Sequence, residues 1–548
     1  MQPKHNEKSQ DSRDNGPSAL SRRGKLYLLF TCGLSVFSSL SFTLSIYYMA
    51  EILQRAQKGS LPGLLQMTGL SVAFLAIWFV MAIASKWTRL QYISDGTLRM
   101  RGNIMRAIFN RPISLFRRQS DAYFLNLLGA DTDMYAAERL NMIPAIFSGA
   151  AQIVMFIGAL WLINPWLMAA CIVLSLLPLF TGNLFTKAIQ QRKEAYSNAS
   201  ETFTGALKEG IEGYKPIRMG HGTAAYMDRF LAACQNKQRA YSASSMINAV
   251  SMQTLYLMGC FLNAACTAVG GYLVLRGVLS PAMLLAAVGY SGNLSNAFSN
   301  IAEYVITIRS TQRIARKLRS ESRAETKPTA LDLTGEKQEV VYETVSFGFG
   351  ERQLYDGFSQ HFRENGCYAV IGESGSGKST LMKLLLKYYD HYTGVIKLSG
   401  HDIRELSEDE IFEVVGVVDQ SPFLFNASLY ENIMLFGHDM AEDSEAYRKL
   451  LEDVNLTALA QRVGDAPLGD FGDNISGGER QRISLARTMR RHPRIILFDE
   501  PTTGLDPENA ALINRFIFDH ADMLRIVIGH NWNRDYLNRF DGVIRIGC

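Results

Sequence analysis

Little in this sequence favours one sign of charge: 56 Lys and Arg stand against 52 Asp and Glu, a formal net charge of +4 over 548 residues. Most of that small excess flanks apolar segments, which is a pattern of membrane orientation and not a nucleic-acid footprint. Cysteine is scarce. Cys32, Cys171, Cys234, Cys260, Cys266, Cys367 and Cys548 form no Cys-x-x-Cys pair, and none stands at metal-ligand spacing from a His. They read as reduced thiols in cytosol and lipid, which excludes a zinc module and a disulfide framework. No repeat of about 20–50 residues is present. No Ala-x-Ala site closes the first apolar run, Leu26 to Ala50. Ser21-Arg22-Arg23-Gly24-Lys25 before it faintly resembles a twin-arginine signal, but the run is longer than a signal core and reads as a retained membrane helix with a basic flank. Residues 1 to 20 are polar, with Gly and Pro, and are expected to be disordered.

What is present divides the chain. The length suggests two or three domains, and a mean hydropathy of +0.00 hides two unlike halves. Six apolar stretches, 26–50, 62–85, 143–163, 165–186, 250–275 and 281–301, are each long enough to cross about 30 Å of hydrocarbon as a helix. Their connections alternate in length. Glu51 to Leu61, Asn164-Pro165 and Arg276 to Ser280 are short and carry only Arg55, Lys58 and Arg276 as cations, whereas 86–142 and 187–249 are long and rich in Lys and Arg. By the positive-inside rule the long loops and both termini are cytosolic, and the expected location is the cell inner (plasma) membrane, as a multi-pass protein. The long loops keep a helical pattern. Asn110-Arg111-Pro112 and Gly213-Tyr214-Lys215-Pro216 break it, and each predicts a turn and a short crossing helix. The sixth helix is predicted to run to about Leu318. A linker rich in charge, Thr and Pro follows, and from Val340 short β-branched runs alternate with helices. The expected division is a tail over 1–24, an all-α membrane domain over 25–318, a linker over 319–338 and an α/β domain over 339–548.

The α/β part carries the chemistry. Gly372-Glu373-Ser374-Gly375-Ser376-Gly377-Lys378-Ser379 follows the apolar run Tyr368 to Ile371 and precedes a helical stretch from Thr380. This is the P-loop pattern in its strand–loop–helix context. Its glycines let backbone N–H groups, from Ser374 to Thr380, curl around phosphates at a helix N-terminus. Lys378 would reach the β- and γ-phosphates, and the Ser379 hydroxyl could ligate Mg²⁺. About 120 residues on, Ile495 to Phe498 ends in Asp499-Glu500, a strand closing on two carboxylates, as a Walker B site requires. Asp499 would hold Mg²⁺ and Glu500 would act as general base on the attacking water.

Between these lies Ile475-Ser476-Gly477-Gly478-Glu479-Arg480-Gln481-Arg482. It resembles the signature motif of ATP-binding cassette (ABC) proteins, with Glu479 where that motif usually has Gln. The chain is thereby identified as similar to the ABC exporter half-transporters, six spans first and one cassette after. The resemblance implies the rest of the site. Ser476, Gly477 and Gly478 would close over ATP held by a partner subunit. Phe349 would stack on adenine, where the family more often has Tyr. Gln420 resembles the Q-loop glutamine that senses Mg²⁺ and water, Gly504-Leu505-Asp506 the D-loop, and His530 the switch histidine that contacts the γ-phosphate. Leu468-Gly469-Asp470-Phe471-Gly472 resembles the loop that couples cassette to membrane domain, and the breaks near Pro112 and Pro216 fall where the family places coupling helices. The cofactors implied are ATP and Mg²⁺. The partners implied are lipid and a second half-transporter. A homodimer is favoured because Lys378, Gln420, Ser476, Glu500 and His530 are all present in one chain, and a heterodimer stays open.

Asn293, Asn296, Asn300 and Glu303 recur at spacings of 3, 4 and 3 on the sixth span. They share one helix face and are expected to line a substrate cavity or to bond neighbouring helices, since polar groups are costly against lipid. Gln253 and Asn263 on the fifth span are more ambiguous. The reading is an ATP-driven exporter of an amphipathic small molecule, lipid or peptide-like compound working by alternating access. An importer on the same fold, with a siderophore-like substrate, stays open, as does a membrane sensor. A soluble ABC protein acting on nucleic acid is excluded by the spans. About 24 residues ahead of the first span leave no room for a peptidase domain, so a self-processing peptide exporter is not expected.

Overall fold

The computed structural model describes residues 21–175, 177–322, 331–333, 335–350, 352–437, 440–442, 444–469, 474–530 and 532–547. The expected disorder of residues 1–20 lies outside these, as do most of the linker and Asp470, Phe471 and Gly472. The chain divides into two compact units, one of Met1–Arg111 with Gln119–Glu325, the other of Pro112–Arg118 with Thr326–Cys548.

The first unit is helical. Helix α1 (Arg22–Gln57) starts at Ser21, whose hydroxyl accepts from the Gly24 amide at 2.7 Å. Gly59, at φ +69°, turns the chain into α2 (Leu61–Phe109), which has Pro in its first turn. At about 1.5 Å per residue, the 49 residues of α2 span about 74 Å and run well past any bilayer. Between α1 and α2 the packing is made by small hydroxyl residues. The Thr31 hydroxyl donates to that of Thr88 at 2.8 Å, the Ser35 and Ser85 hydroxyls are hydrogen-bonded at 3.0 Å, and Ser71 donates to the Ser45 carbonyl at 3.2 Å. Such residues let helices approach closely where no water can serve polar groups.

The Asn110–Pro112 break produces the predicted short helix, α3 (Ile113–Phe116). Next come α4 (Asp121–Asn126), α5 (Thr132–Tyr135) and α6 (Met142–Ile163). Two π-helical turns, Leu127–Asp131 and Ala136–Leu140, interrupt them. The first presents Asp131, whose side chain is 2% exposed, to Lys317 Nζ at 2.8 Å and to the Ser197 hydroxyl at 3.0 Å. Helices α7 (Pro165–Ser175) and α8 (Leu177–Glu212) follow. The second break yields α9 (Tyr214–Met219), then α10 (Thr223–Leu275) and α11 (Pro281–Ser310), the last capped by the Ser280 hydroxyl. Cys171 of α7 and Cys266 of α10 lie with their sulfurs 3.5 Å apart, a proximity that sequence spacing does not reveal. The sixth helix was expected to continue to Leu318. Instead a turn at Thr311 separates α11 from α12 (Gln312–Glu321).

Among the described residues, four helical segments are long and apolar enough to cross a membrane: Arg22–Gln57, Leu61–Phe109, Asp121–Ile163 and Thr223–Leu275. They contain the first, second, third and fifth predicted spans. The fourth falls on α7 and the start of α8, with Leu176 outside the described residues. The sixth falls on α11, whose three asparagines lower its mean hydropathy.

The second unit is built on two sheets. Strands β1 (Val340–Phe349), β2 (Arg352–Phe362), β4 (Thr393–Leu398) and β5 (His401–Asp402) pair antiparallel in the order β2-β1-β4-β5. The other sheet is parallel: β3 (Cys367–Gly372), β6 (Val415–Val418), β7 (Ile495–Asp499), β8 (Leu524–Gly529) and β9 (Gly542–Ile546), in the order β6-β7-β8-β3-β9. Its inner strands β3, β7 and β8 are mostly apolar because both faces are covered, with Arg525 of β8 buried and bonded to backbone carbonyls. Along β3, Tyr368 and Val370 enter one core while Cys367, Ala369 and Ile371 enter the other. The helices are α13 (Lys378–Leu385), α14 (Glu408–Val414), α15 (Leu429–Met434), α16 (Glu445–Asp453), α17 (Thr457–Val463), α18 (Gly477–Met489), α19 (Pro507–Asp519) and α20 (Arg534–Leu537). This unit also holds α3, where Glu408 accepts from the Ile113 amide at 2.8 Å and Arg117 lies 5.3 Å from the Tyr388 ring centre.

Candidate nucleotide site

Strands β3, β7 and β8 are adjacent in the parallel sheet, so the loops at their C-terminal ends converge. Ligands of open α/β sheets bind beyond those ends. After β3 the chain forms the loop Gly372–Gly377. A Cβ on Gly372 would lie 2.3 Å from the Ile546 carbonyl, and Gly377 has φ +106°, so neither place admits a side chain without strain. Tyr355 donates to the Gly377 carbonyl at 2.5 Å and Arg352 to that of Gly375 at 3.0 Å, two supports that no sequence motif announces.

Lys378 opens α13 and is only 6% exposed. Its ammonium lies inside the loop, donating to the carbonyls of Gly372 and Glu373 at 2.9 and 2.8 Å. The buried Ser376 hydroxyl has no partner among the described residues. Ser374 and Gly375 are exposed at the rim, and the Thr380 amide is already used by the Gly377 carbonyl. A cradle with a buried cation and an orphaned hydroxyl fits a phosphate chain.

Ser379 donates to Asp499 Oδ1 at 2.8 Å. Burial pushes the Asp499 carboxyl up, against the pull of Ser379. A hydroxyl beside a half-buried carboxylate is a hard-oxygen donor set that fits a divalent cation such as Mg²⁺.

Glu500 follows at φ +47°, an unusual conformation for a side chain of its size. Its amide bonds the Ile528 carbonyl of β8 at 3.1 Å, which fixes the turn. Its carboxylate gathers three groups from separate loops. Gln420 Nε2 donates to Oε2 at 2.8 Å, Thr503 donates to the same oxygen at 3.3 Å, and His530 Nδ1 lies 3.3 Å from Oε1. Gln420 is itself held, its carbonyl accepting from Gln481 at 2.7 Å. The structure thus brings together Lys378, Ser379, Asp499, Glu500, Gln420 and His530. Thr503 and Gln481 were missed: Gln481 stands inside the signature motif with no role read for it, and Thr503 falls between the Walker B pair and the D-loop.

Phe349 is 45% exposed at the end of β1, edge-on to Phe347 and Tyr389 at 5.0 and 5.3 Å between ring centres. An aromatic anchored on one side and open on the other can take a base. Ser476 caps α18 in a reciprocal box with Glu479: Ser476 N donates to Oε2 at 2.9 Å, and Glu479 N to the Ser476 hydroxyl at 3.2 Å. A Cβ on Gly477 would lie 4.0 Å from Leu505, an ordinary contact, while one on Gly478 would meet Asn509 at 2.6 Å. Asp506 caps α19 by accepting from the Asn509 amide at 2.9 Å.

In the helical unit, Asn296 and Asn300 of α11 are exposed, and Asn293 and Glu303 half-buried. Asn293 donates to the Gly289 carbonyl of its own helix at 2.8 Å. On α10, Gln253 is exposed, and Asn263 sits where a Cβ on Gly292 would meet its amide at 2.8 Å.

Residues 17–298 match the family model of the ABC transporter transmembrane region, and residues 355–503 that of the ABC transporter. The chain is 24% identical over 497 residues to the mitochondrial ATP-dependent permease MDL2 of Saccharomyces cerevisiae, covering 87% of this chain and 63% of that one. It is 24% identical over 431 residues to the ATP-dependent lipid A-core flippase of Desulfotalea psychrophila, covering 77% and 74%. Against four of the relatives it matches, the chain spans 45 to 63% of their length. A bacterial Atm1-family ABC exporter solved with ATP bound superposes with a TM-score of 0.83 over 97% of this chain and 95% of that one. At 19% identity that likeness speaks for the fold, a helical exporter-type membrane domain followed by a β/α nucleotide-binding domain.

Proposed function

The chain belongs to the ABC transporter family, and from that premise we propose that it is one half of a homodimeric exporter driven by ATP hydrolysis. The observation that carries the reading is the convergence of Gln420, Thr503 and His530 on Glu500, next to the buried Lys378 and the Ser379–Asp499 pair.

ATP is the substrate of this chemistry. The amides of the Gly372–Gly377 loop and the Lys378 ammonium hold its β- and γ-phosphates. Phe349 offers its open face to adenine. Ser379 and Asp499 hold Mg²⁺, which supplies charge neutralisation on the phosphates. Glu500 accepts the proton of a water as its oxygen attacks the γ-phosphorus, and the bond to the ADP oxygen breaks. A base must be aimed to act, and Gln420 and His530, one on each carboxylate oxygen, fix the plane of Glu500. Ser476, Gly477 and Gly478 close on the ATP of the second copy, with Asp506 beside them.

The proposed division assigns residues 1–24 to a tail, 25–318 to the membrane domain, 319–338 to a linker and 339–548 to the cassette. The α3 and α9 helices act as couplers, so cassette closure turns the membrane cavity outward. The basic long loops favour a cytosolic cassette in the cell inner membrane. The exposed Asn296 and Asn300 favour an amphipathic cargo with hydrogen-bonding groups: a small molecule, a lipid or a peptide-like compound. The test is a compound screen for ATPase stimulation by the chain in lipid nanodiscs, with ATP-dependent flux of each hit followed in inside-out vesicles. A chain that hydrolyses no ATP with any compound, or that moves hits outward from such vesicles, contradicts this reading.

A further inference from the structure

The N-terminus of α18 carries a charge conflict. A helix presents about half a positive charge at that end, and this is what suits it to phosphate. Yet the third residue of α18 is Glu479, a full negative charge one turn from the opening. Left alone, that carboxylate would more than cancel the helix field for an arriving anion.

The carboxylate is not alone. Its Oε2 is taken by the Ser476 amide, and Arg462 Nη2 lies 2.9 Å from Oε1. Arg462 is in the last turn of α17, where a cation is favoured by the negative end of the helix. The Glu479 side chain is 13% exposed and that of Arg462 56%. The carboxylate is therefore turned inward and the guanidinium sits at the rim. A pair with one half-exposed partner adds little to stability, so its effect falls on the local potential. A second cation near Glu479, Arg482, is committed elsewhere: it donates to Asn509, and Asp506 and Glu508 share its field.

We propose that Arg462 is a positioning residue for the nucleotide shared across the dimer: by neutralising Glu479 it keeps the N-terminus of α18 attractive to phosphate. This rests on the reading that ATP held by one copy meets α18 of the other. Removing Arg462 exposes the incoming nucleotide to an unpaired carboxylate, and removing both charges restores the field.

The test is steady-state ATPase of the full chain in nanodiscs. Arg462→Ala is expected to raise KM for ATP on the order of tenfold, the scale of one unscreened charge at close range, with a smaller change in kcat. Arg462→Lys keeps the charge and the parental KM. Arg462→Ala with Glu479→Gln returns KM to near the parental value, which a strut between α17 and α18 could not do, since both its ends are then gone. Should the alanine variant fail to fold, Arg462→Gln removes the same charge with hydrogen bonding kept. A parental KM in the charge-removed variant, or a raised KM that the double variant does not restore, overturns the proposal. Gly477→Asp separates this from the underlying reading, because its position has room for a side chain and it puts a new carboxylate in the first turn of α18. If that variant is inactive while Arg462→Ala is normal, only the role of Arg462 falls. If it hydrolyses ATP normally, α18 does not face the nucleotide and the shared-site reading falls with it.

Discussion

Gln420 and Glu500, 80 residues apart, meet at 2.8 Å, the Gln420 amide on one oxygen of the carboxylate while His530 stands 3.3 Å from the other. Both contacts come from loops that leave neighbouring strands, and they fix the side chain on either side. Glu500→Gln preserves the size and one accepting oxygen but removes the base. Loss of a positioned general base costs about 10²–10⁴-fold, so turnover should fall by that order while nucleotide binding persists. Phosphate release together with retention of labelled ATP measures both, and near-parental turnover would remove Glu500 from the base role.

Asn432 is 0% exposed, and its side chain knots the segment ahead of α15. Its amide donates to the carbonyls of Phe425, Ala427 and Ser428, and its oxygen accepts from the Phe425 amide at 2.8 Å. Asn432→Ala takes the acceptor from the Phe425 amide, at about 1–3 kcal/mol, while the carbonyls of Phe425, Ala427 and Ser428 keep the backbone amides of Ala427, Leu468 and residue 432. The expected cost is about 1–3 kcal/mol, read as a lowered midpoint of cassette unfolding followed by limited proteolysis. An unchanged midpoint would mean that water serves this amide.

Glu410 gives the cassette an acid-sensitive joint. Burial works to raise its pKa, but hydrogen bonds from the Leu331 amide and from Ser407, with Lys387 nearby, outweigh it and hold the carboxyl below its ordinary value. A depressed folded value means stabilisation fully present above the unfolded value of about 4.3 and lost as pH falls through the folded one. Cassette stability followed from about pH 6 to pH 3 should therefore decline less steeply in Glu410→Gln than in the parent, and equal slopes would refute the linkage.

Much of the nucleotide site was legible because its chemistry is local. A strand, a glycine loop, a lysine and a helix stand in one short segment from Tyr368 to Leu385, and the strand ending in Asp499 and Glu500 needs only its own residues to be recognised. What was not legible depends on partners distant in sequence. Nothing near Glu479 names Arg462, nothing near Ile113 names Glu408, and the approach of Cys171 to Cys266 requires α7 and α10 to pack. The π-helical turns around Asp131 and Glu138 have no hydrophobic period of their own, so the third span's extension read as plain helix. The turn at Thr311 escaped notice because no Gly or Pro marks it.

The face of α11 that bears Asn296 and Asn300 is open in the helical unit, and the expectation that it lines a cavity can be separated from helix packing. Asn296→Leu and Asn300→Leu with Glu303→Gln should weaken compound-stimulated ATPase and leave basal ATPase in place. Single cysteines at these positions should react with a water-soluble thiol reagent without nucleotide and be shielded by a stimulating compound. Positions that stay unreactive in both states would mark the stripe as buried packing.

The account stands or falls on whether two copies of this chain build each ATP site together. The direct measurement is ATPase after co-reconstitution of two inactive variants, Lys378→Ala and Gly477→Asp. Each alone spoils both sites of its own dimer. In a mixed dimer one site combines the intact Lys378 of one copy with the intact Gly477 of the other, so activity should reappear in part on mixing. If the parent is active and the mixture remains as dead as its components, each copy hydrolyses ATP by itself and the shared site is wrong.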